Sequence, residues 1–225
     1  MDEHQSKRGI RRLLLTLAIL VGLIILAAAA VYGIVWRGRN AEAAEAACNS
    51  AVELAKAVDP LATGEVAALI VHDTPAPVAD LTFVDASGAE RRLSEWRGKA
   101  VLFNLWATWC APCRHEMPAL DNLQAELGGD DFEVVAVNID TGGDEKPKAF
   151  LRDVEVDTLR YYADHTTGVF RELKKSGKAF GLPTTLLIDR EGCEIGHMAG
   201  PAQWDSEDAK ALIGALVGQG AEGSS

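Results

Sequence analysis

Residues 100–118 read AVLFNLWATWCAPCRHEMP, and this stretch decides the fold. Ala100 to Trp106 is a nearly continuous apolar run of strand length, the pattern of a strand buried on both faces. Cys110 to Leu127 reads as a helix, with Met117, Leu120, Leu123, Gln124 and Leu127 spaced along it. Two cysteines, three positions apart, sit at the junction. The first turn of a helix carries unpaired N–H groups and the positive end of the peptide dipole, and both stabilise a thiolate. Cys110 is therefore the expected nucleophile. Cys113, one turn deeper, is placed to attack a mixed disulfide on Cys110 and release the target. Pro112 has no N–H to satisfy, and its fixed φ suits the first helical turn. The competing reading, half of a zinc knuckle, needs a second ligand pair at suitable spacing. Cys48 and Cys193 are isolated and no closely spaced histidine pair exists, so no metal and no cofactor is expected.

Working outward, residues 132–139 (FEVVAVNI) form a second buried strand, 146–154 a helix and 159–163 a short strand. Residues 81–84 and 90–93 flank Ser87-Gly88 as a hairpin. Residues 184–188 and 193–198 form a strand pair joined at Glu191-Gly192, and a last helix covers 205–217. Strands alternating with helices, then a closing hairpin and helix, indicate an α/β sandwich around a mixed sheet. Before this domain, residues 41–58 read as an extra helix, with a short helix near 65–70; Pro75-Ala76-Pro77 then breaks the pattern. The domain reading is an anchor over 1–40, an extra helical segment and linker over 41–77, the α/β domain over 78–217 and a flexible tail over 218–225.

Leu13 to Trp36 is free of charge for 24 residues, about 36 Å of helix, long enough to span a bilayer core of about 30 Å. Lys7, Arg8, Arg11 and Arg12 precede it and only Arg37 and Arg39 follow. The positive-inside bias predicts a single pass with a cytoplasmic N-terminus and an exported remainder. Ala27 to Ala30 offer the alternative of a cleaved signal peptide, but the apolar run continues beyond them. The formal charge of −11 divides into +4 over residues 1–40 and −15 over 41–225. A domain that acidic repels a phosphate backbone, so nucleic acid is excluded as a partner. A monomer is expected.

The stretch 104–118, with Arg97-Gly98-Lys99 before it and Gly181-Leu182-Pro183-Thr184-Thr185 after it, resembles the extracytoplasmic, membrane-anchored thioredoxin-like proteins over about residues 78–217. The resemblance implies a thioredoxin-like fold, protein-disulfide reductase activity and a place in a bacterial inner membrane; Trp109 reads by its position as a partly exposed contact surface beside Cys110. By itself Pro183 reads as a trans turn proline opening a strand. The resemblance implies a cis proline facing the cysteine pair, with the Leu182 backbone pairing to the client peptide as an added strand. It also implies that Glu116 lies near the sulfurs and shuttles the proton of Cys113, where the residue alone reads equally well as a surface glutamate. Asn104 departs from ordinary thioredoxin, which carries a buried aspartate there, and so gives Glu116 more weight. An Ala-Pro dipeptide resembles the reducing members, which need a transmembrane thiol relay as electron donor. The implied clients are copper chaperones or the copper-bearing subunit of cytochrome oxidase. The alternatives are apocytochrome c and, in another class, a copper-binding chaperone using the same two cysteines.

Cys48 and Cys193 are leftover cysteines in an oxidising compartment, where pairing is commoner than free thiols. A Cys48–Cys193 bridge would staple the extra helix to the sheet. Inert buried thiols, or Cys193 with His197 as two copper ligands, are the other readings. Trp106 is expected in the core and His115 on the surface. His72 and His165 carry no readable signal, and Lys174, Lys175 and Lys178 read as a solvated helix end.

Overall fold

The computed structural model describes residues 31–33 and 48–218. The chain divides into two units, residues 1–46 and 47–225. Of the first, Val31 to Gly33 are helical; the rest of the expected span from Leu13 to Trp36 lies outside the described residues. Among the described residues no helix is long and apolar enough to cross a membrane.

Among the described residues the second unit has eight strands: β1 (Ile70–Pro77), β2 (Thr82–Asp85), β3 (Glu90–Arg92), β4 (Ala100–Trp106), β5 (Phe132–Asn138), β6 (Tyr162–Ala163), β7 (Thr184–Ile188) and β8 (Cys193–Ala199). Five helices accompany them: α1 (Ala51–Val58), α2 (Ala111–Leu127), α3 (Glu145–Asp153), α4 (Gly168–Lys175) and α5 (Glu207–Gly218). The spatial order is β1-β8-β7-β4-β5-β6-β2-β3. β4 pairs parallel with β5, and β5 with β6, whereas β7 is antiparallel to both β4 and β8. This is the mixed sheet of a thioredoxin-like α/β fold. Every residue of β4 and of β5 is buried, as strands covered on both faces must be.

The segment 41–77 is not only helix and linker. Residues 41–47 lie outside the described residues, α1 begins at Ala51, and the short helix expected near 65–70 is a single 3-10 turn, Gly64–Val66. Ile70–Pro77 is then an edge strand antiparallel to β8, with the register shifting between Val71 and Ala76. Pro75 and Pro77 are tolerated because an edge strand, and above all an irregular one, can spare N–H donors. β1 also lies unusually close to β8. A Cβ on Gly196 would stand 2.7 Å from the Ile70 carbonyl oxygen, so glycine is required there. α1 packs on β1, β8 and α5 through Ala51, Leu54, Ala55 and Val58.

Candidate active site

β4 ends at Trp106, and four residues later Cys110 is the N-cap of α2. Its Sγ accepts a hydrogen bond from the Cys113 N–H at 3.2 Å. The helix thus directs a free N–H at the sulfur that would carry the negative charge, the arrangement that favours a thiolate. Cys110 and Cys113 are joined as a disulfide with Cα atoms 5.3 Å apart. Cys113 is fully buried and Cys110 nearly so, while Trp109 beside them is 65% exposed. Pro112 lies in the first turn of α2.

The β4–β7 register aligns the third part of the site. Thr184 opposes Leu105 and Thr185 opposes Asn104, so Pro183 lies at the end of the sheet where β4 runs out towards Cys110. The Leu182–Pro183 bond is cis. Gly200 donates to the Pro183 carbonyl at 3.0 Å, and the Thr184 hydroxyl to that of Gly181 at 2.8 Å. Phe180, three residues before the proline, is a large apolar side chain 74% exposed that sequence reading passed over.

Glu116 follows Cys113 by three positions on α2, so both fall on its inner face. It is buried, not a surface glutamate. Asn104 Nδ2 donates to its Oε1 at 2.8 Å and to Thr185 Oγ1 at 3.0 Å. The Ala202 N–H and the Trp204 indole N–H donate to Oε2, each at 3.3 Å. Burial dominates these bonds and pushes the carboxyl up to about 7. Asn104 therefore does not stand in for an acid; it positions one. Trp204 was missed because the loop after β8 bears no motif, and only the closing of that loop on α2 brings it to Glu116.

A second network borders the first. The Thr108 N–H donates to buried Asp140 at 3.2 Å, fixing the turn before the cysteines. His165, without a readable sequence signal, contacts the Asp140 carbonyl and Asp144 Oδ1, each at 2.8 Å. His115 is exposed, and Trp106 lies in the core.

Cys48 and Cys193 form a disulfide with Cα atoms 5.7 Å apart, tying the segment before α1 to the start of β8. The copper pairing of Cys193 with His197 is thus not formed. The β7–β8 ladder shifts register around Ile195, which breaks the strand alternation that pairing assumed. His197 instead meets His72, and both approach Glu194. Lys178 does not end in solvent: it is ion-paired with fully buried Glu194. Burial holds both imidazoles below their ordinary value, with Lys178 adding to the effect.

The fold and this site define a thioredoxin-like protein with a CxxC redox disulfide. A family model described as Redoxin matches residues 72–213, and the chain belongs to that family. Among curated proteins it is 35% identical over 115 residues to the thiol-disulfide oxidoreductase ResA of Geobacillus kaustophilus, spanning 50% of this chain and 62% of that one. It is 38% identical over 119 residues to the thioredoxin-like protein YneN of Bacillus subtilis, spanning 50% of this chain and 64% of that one. The match thus spans less than two thirds of either relative. Among solved structures, a DsbE-type thiol:disulfide interchange protein from Chlorobium tepidum aligns with TM-score 0.53 and 30% identity over 62% of this chain and 95% of that one. A thiol-disulfide oxidoreductase from Bacteroides vulgatus aligns with TM-score 0.52 and 30% identity, over 63% and 94%.

Proposed function

We propose that the chain is a protein-disulfide reductase that acts outside the cytoplasm from a membrane anchor at Leu13 to Trp36. One observation carries the chemistry: a disulfide whose outer sulfur, Cys110 Sγ, caps the N-terminus of α2. In the reduced protein the Cys110 thiolate attacks a client disulfide. The client S–S bond breaks, one client sulfur stays bonded to Cys110 and the other leaves as a thiolate. The Cys113 thiol then loses its proton to Glu116 and attacks Cys110 Sγ. The second client thiolate departs and the Cys110–Cys113 disulfide remains. Trp109 and Phe180 supply apolar contact for the client peptide, and the backbone at Leu182 pairs with it as an added strand. A transmembrane thiol relay returns the two electrons.

Within the family we propose the TlpA type, the anchored thiol:disulfide interchange proteins. A turn bearing Cys48 just before α1, bridged to Cys193 at the start of β8, supports this reading. Its clients are then copper-handling proteins of cytochrome oxidase assembly. Cys113→Ser leaves mixed disulfides on Cys110 unresolved, so partners trapped on that variant in cells are the test. Copper chaperones or the oxidase subunit are the expected catch. Apocytochrome c would move the protein to cytochrome c maturation. Nothing bound at Cys110 would overturn the exchange mechanism, and copper bound stoichiometrically by the reduced protein and lost on Cys113→Ser would replace it with a metal chaperone.

A further inference from the structure

At the β1–β8 edge, away from the cysteine pair in sequence and outside the mechanism above, three ligating side chains converge. His72 Nε2 lies 2.9 Å from Glu194 Oε1 and 3.2 Å from His197 Nδ1, and the last two atoms are 3.6 Å apart. Adjacent corners of a tetrahedral zinc centre with arms of about 2.0 Å are separated by about 3.3 Å. The three separations bracket that spacing. A point about 2.0 Å from each lies less than about 1 Å out of their plane, which leaves a fourth corner that none of the three fills. We infer that His72, Glu194 and His197 form a binding site for one divalent cation of the zinc type, held by two imidazole nitrogens and one carboxylate oxygen. The sequence reading expected no metal, because these ligands come from two strands 122 residues apart and meet only through the sheet.

Three surrounding features fit the assignment. The second oxygen of Glu194 is engaged by Lys178, which orients the carboxylate as a one-oxygen ligand in the manner of outer-shell partners of metal sites. His72 also lines a recess of about 170 Å³ that presents Asp59, Asp73 and Lys56, the last ion-paired with Glu53, so two carboxylates stand beside this ligand to offset the Lys178 charge. His72 itself stands in the stretch of β1 between Val71 and Ala76 where the register with β8 shifts. A cation there would cross-link the two strands where regular ladder bonds give out, next to the bridge from Cys48 to Cys193. Two imidazoles and a carboxylate suit zinc, with copper(II) as the stronger competitor for the same nitrogens.

The proposal is independent of the thiol chemistry, and the full-length chain in its oxidised form, which offers no thiols, tests it. Zinc sulfate added to that protein is expected to bind at one equivalent and to raise its unfolding temperature. Cobalt(II) in its place should give the intense visible bands of tetrahedral nitrogen and oxygen coordination, without a thiolate charge-transfer band. His72→Gln and His197→Gln should each weaken zinc binding at least tenfold and remove the thermal shift. His72 is the cleaner variant, since its side chain is partly exposed on the edge strand. Absence of zinc binding by the folded wild-type chain, or equal affinity in the folded His72→Gln variant, would overturn the assignment.

Discussion

Glu116 is the residue at which burial and chemistry meet. A carboxyl held at about 7 is half ionised near neutrality and can both take and return a proton there, which a solvent-exposed glutamate does poorly. The same shift makes folding pH-dependent. Below the ordinary carboxylate value near 4.5 the group is protonated in both states and its burial carries no ionisation cost. As pH rises from about 4.5 to about 7 the unfolded chain ionises first, and stability falls by about 3 kcal/mol before levelling off. Glu116→Gln should remove its share of that slope, most clearly between pH 6 and 7, above the range of Asp189, which burial pushes up to about 6, as read by guanidinium unfolding at pH 5, 6, 7 and 8. It should also remove an inflection near pH 7 from the rate at which the reduced protein consumes a client disulfide. Loss of the inflection together with the slope separates a proton carrier from a carboxyl that only packs.

Among the elements, α2 does more than present Cys110. Its buried face carries Cys113, Glu116, Met117, Leu120 and Leu123 at helical spacing against the sheet. Pro118 interrupts its hydrogen bonding, a cost met by that packing. Three residues on, buried Asp121 accepts from the N–H of Thr158 and of Leu159, each at 2.8 Å, and from that of Asp157 at 3.3 Å. One carboxylate thus organises the loop that leads into β6. Asp121→Ala strands these donors and should cost about 2–3 kcal/mol, read as a lower denaturant midpoint. Asp121→Asn, which keeps one acceptor oxygen, should lose less.

Across the whole molecule, charge and covalent closure are divided between regions. The bridge from Cys48 to Cys193 closes 145 residues and joins the N-terminal segment to the late hairpin. On chain-entropy grounds such a closure disfavours the unfolded chain by up to about 5 kcal/mol. The formal charge of −15 over residues 41–225 gives a field that attracts basic partner surfaces. Reduction of a lysine-rich disulfide peptide should therefore slow by about tenfold between low and high salt, by stopped-flow, while a neutral peptide of the same length changes little.

The sequence by itself determined the chemistry, because a strand, CxxC and helix lie contiguously and their mechanism depends on local geometry: a sulfur at a helix N-terminus. It determined the buried strands 100–106 and 132–138 for the same reason, since continuous apolar runs are read locally. It did not reveal that Ile70–Pro77 is a strand, because its two prolines argue against one until the edge position is known. Whether Glu116 was buried depended on Asn104 in β4 and on Ala202 and Trp204 in the loop after β8, two other parts of the chain. Lys178 read as a solvated helix end, His197 as a copper ligand beside Cys193 and His72 as without signal, and Glu194 drew no reading; the four meet only in the folded chain. Tertiary structure alone decided these, because desolvation and convergence of side chains are properties of the packed neighbourhood and leave no period or motif along the chain.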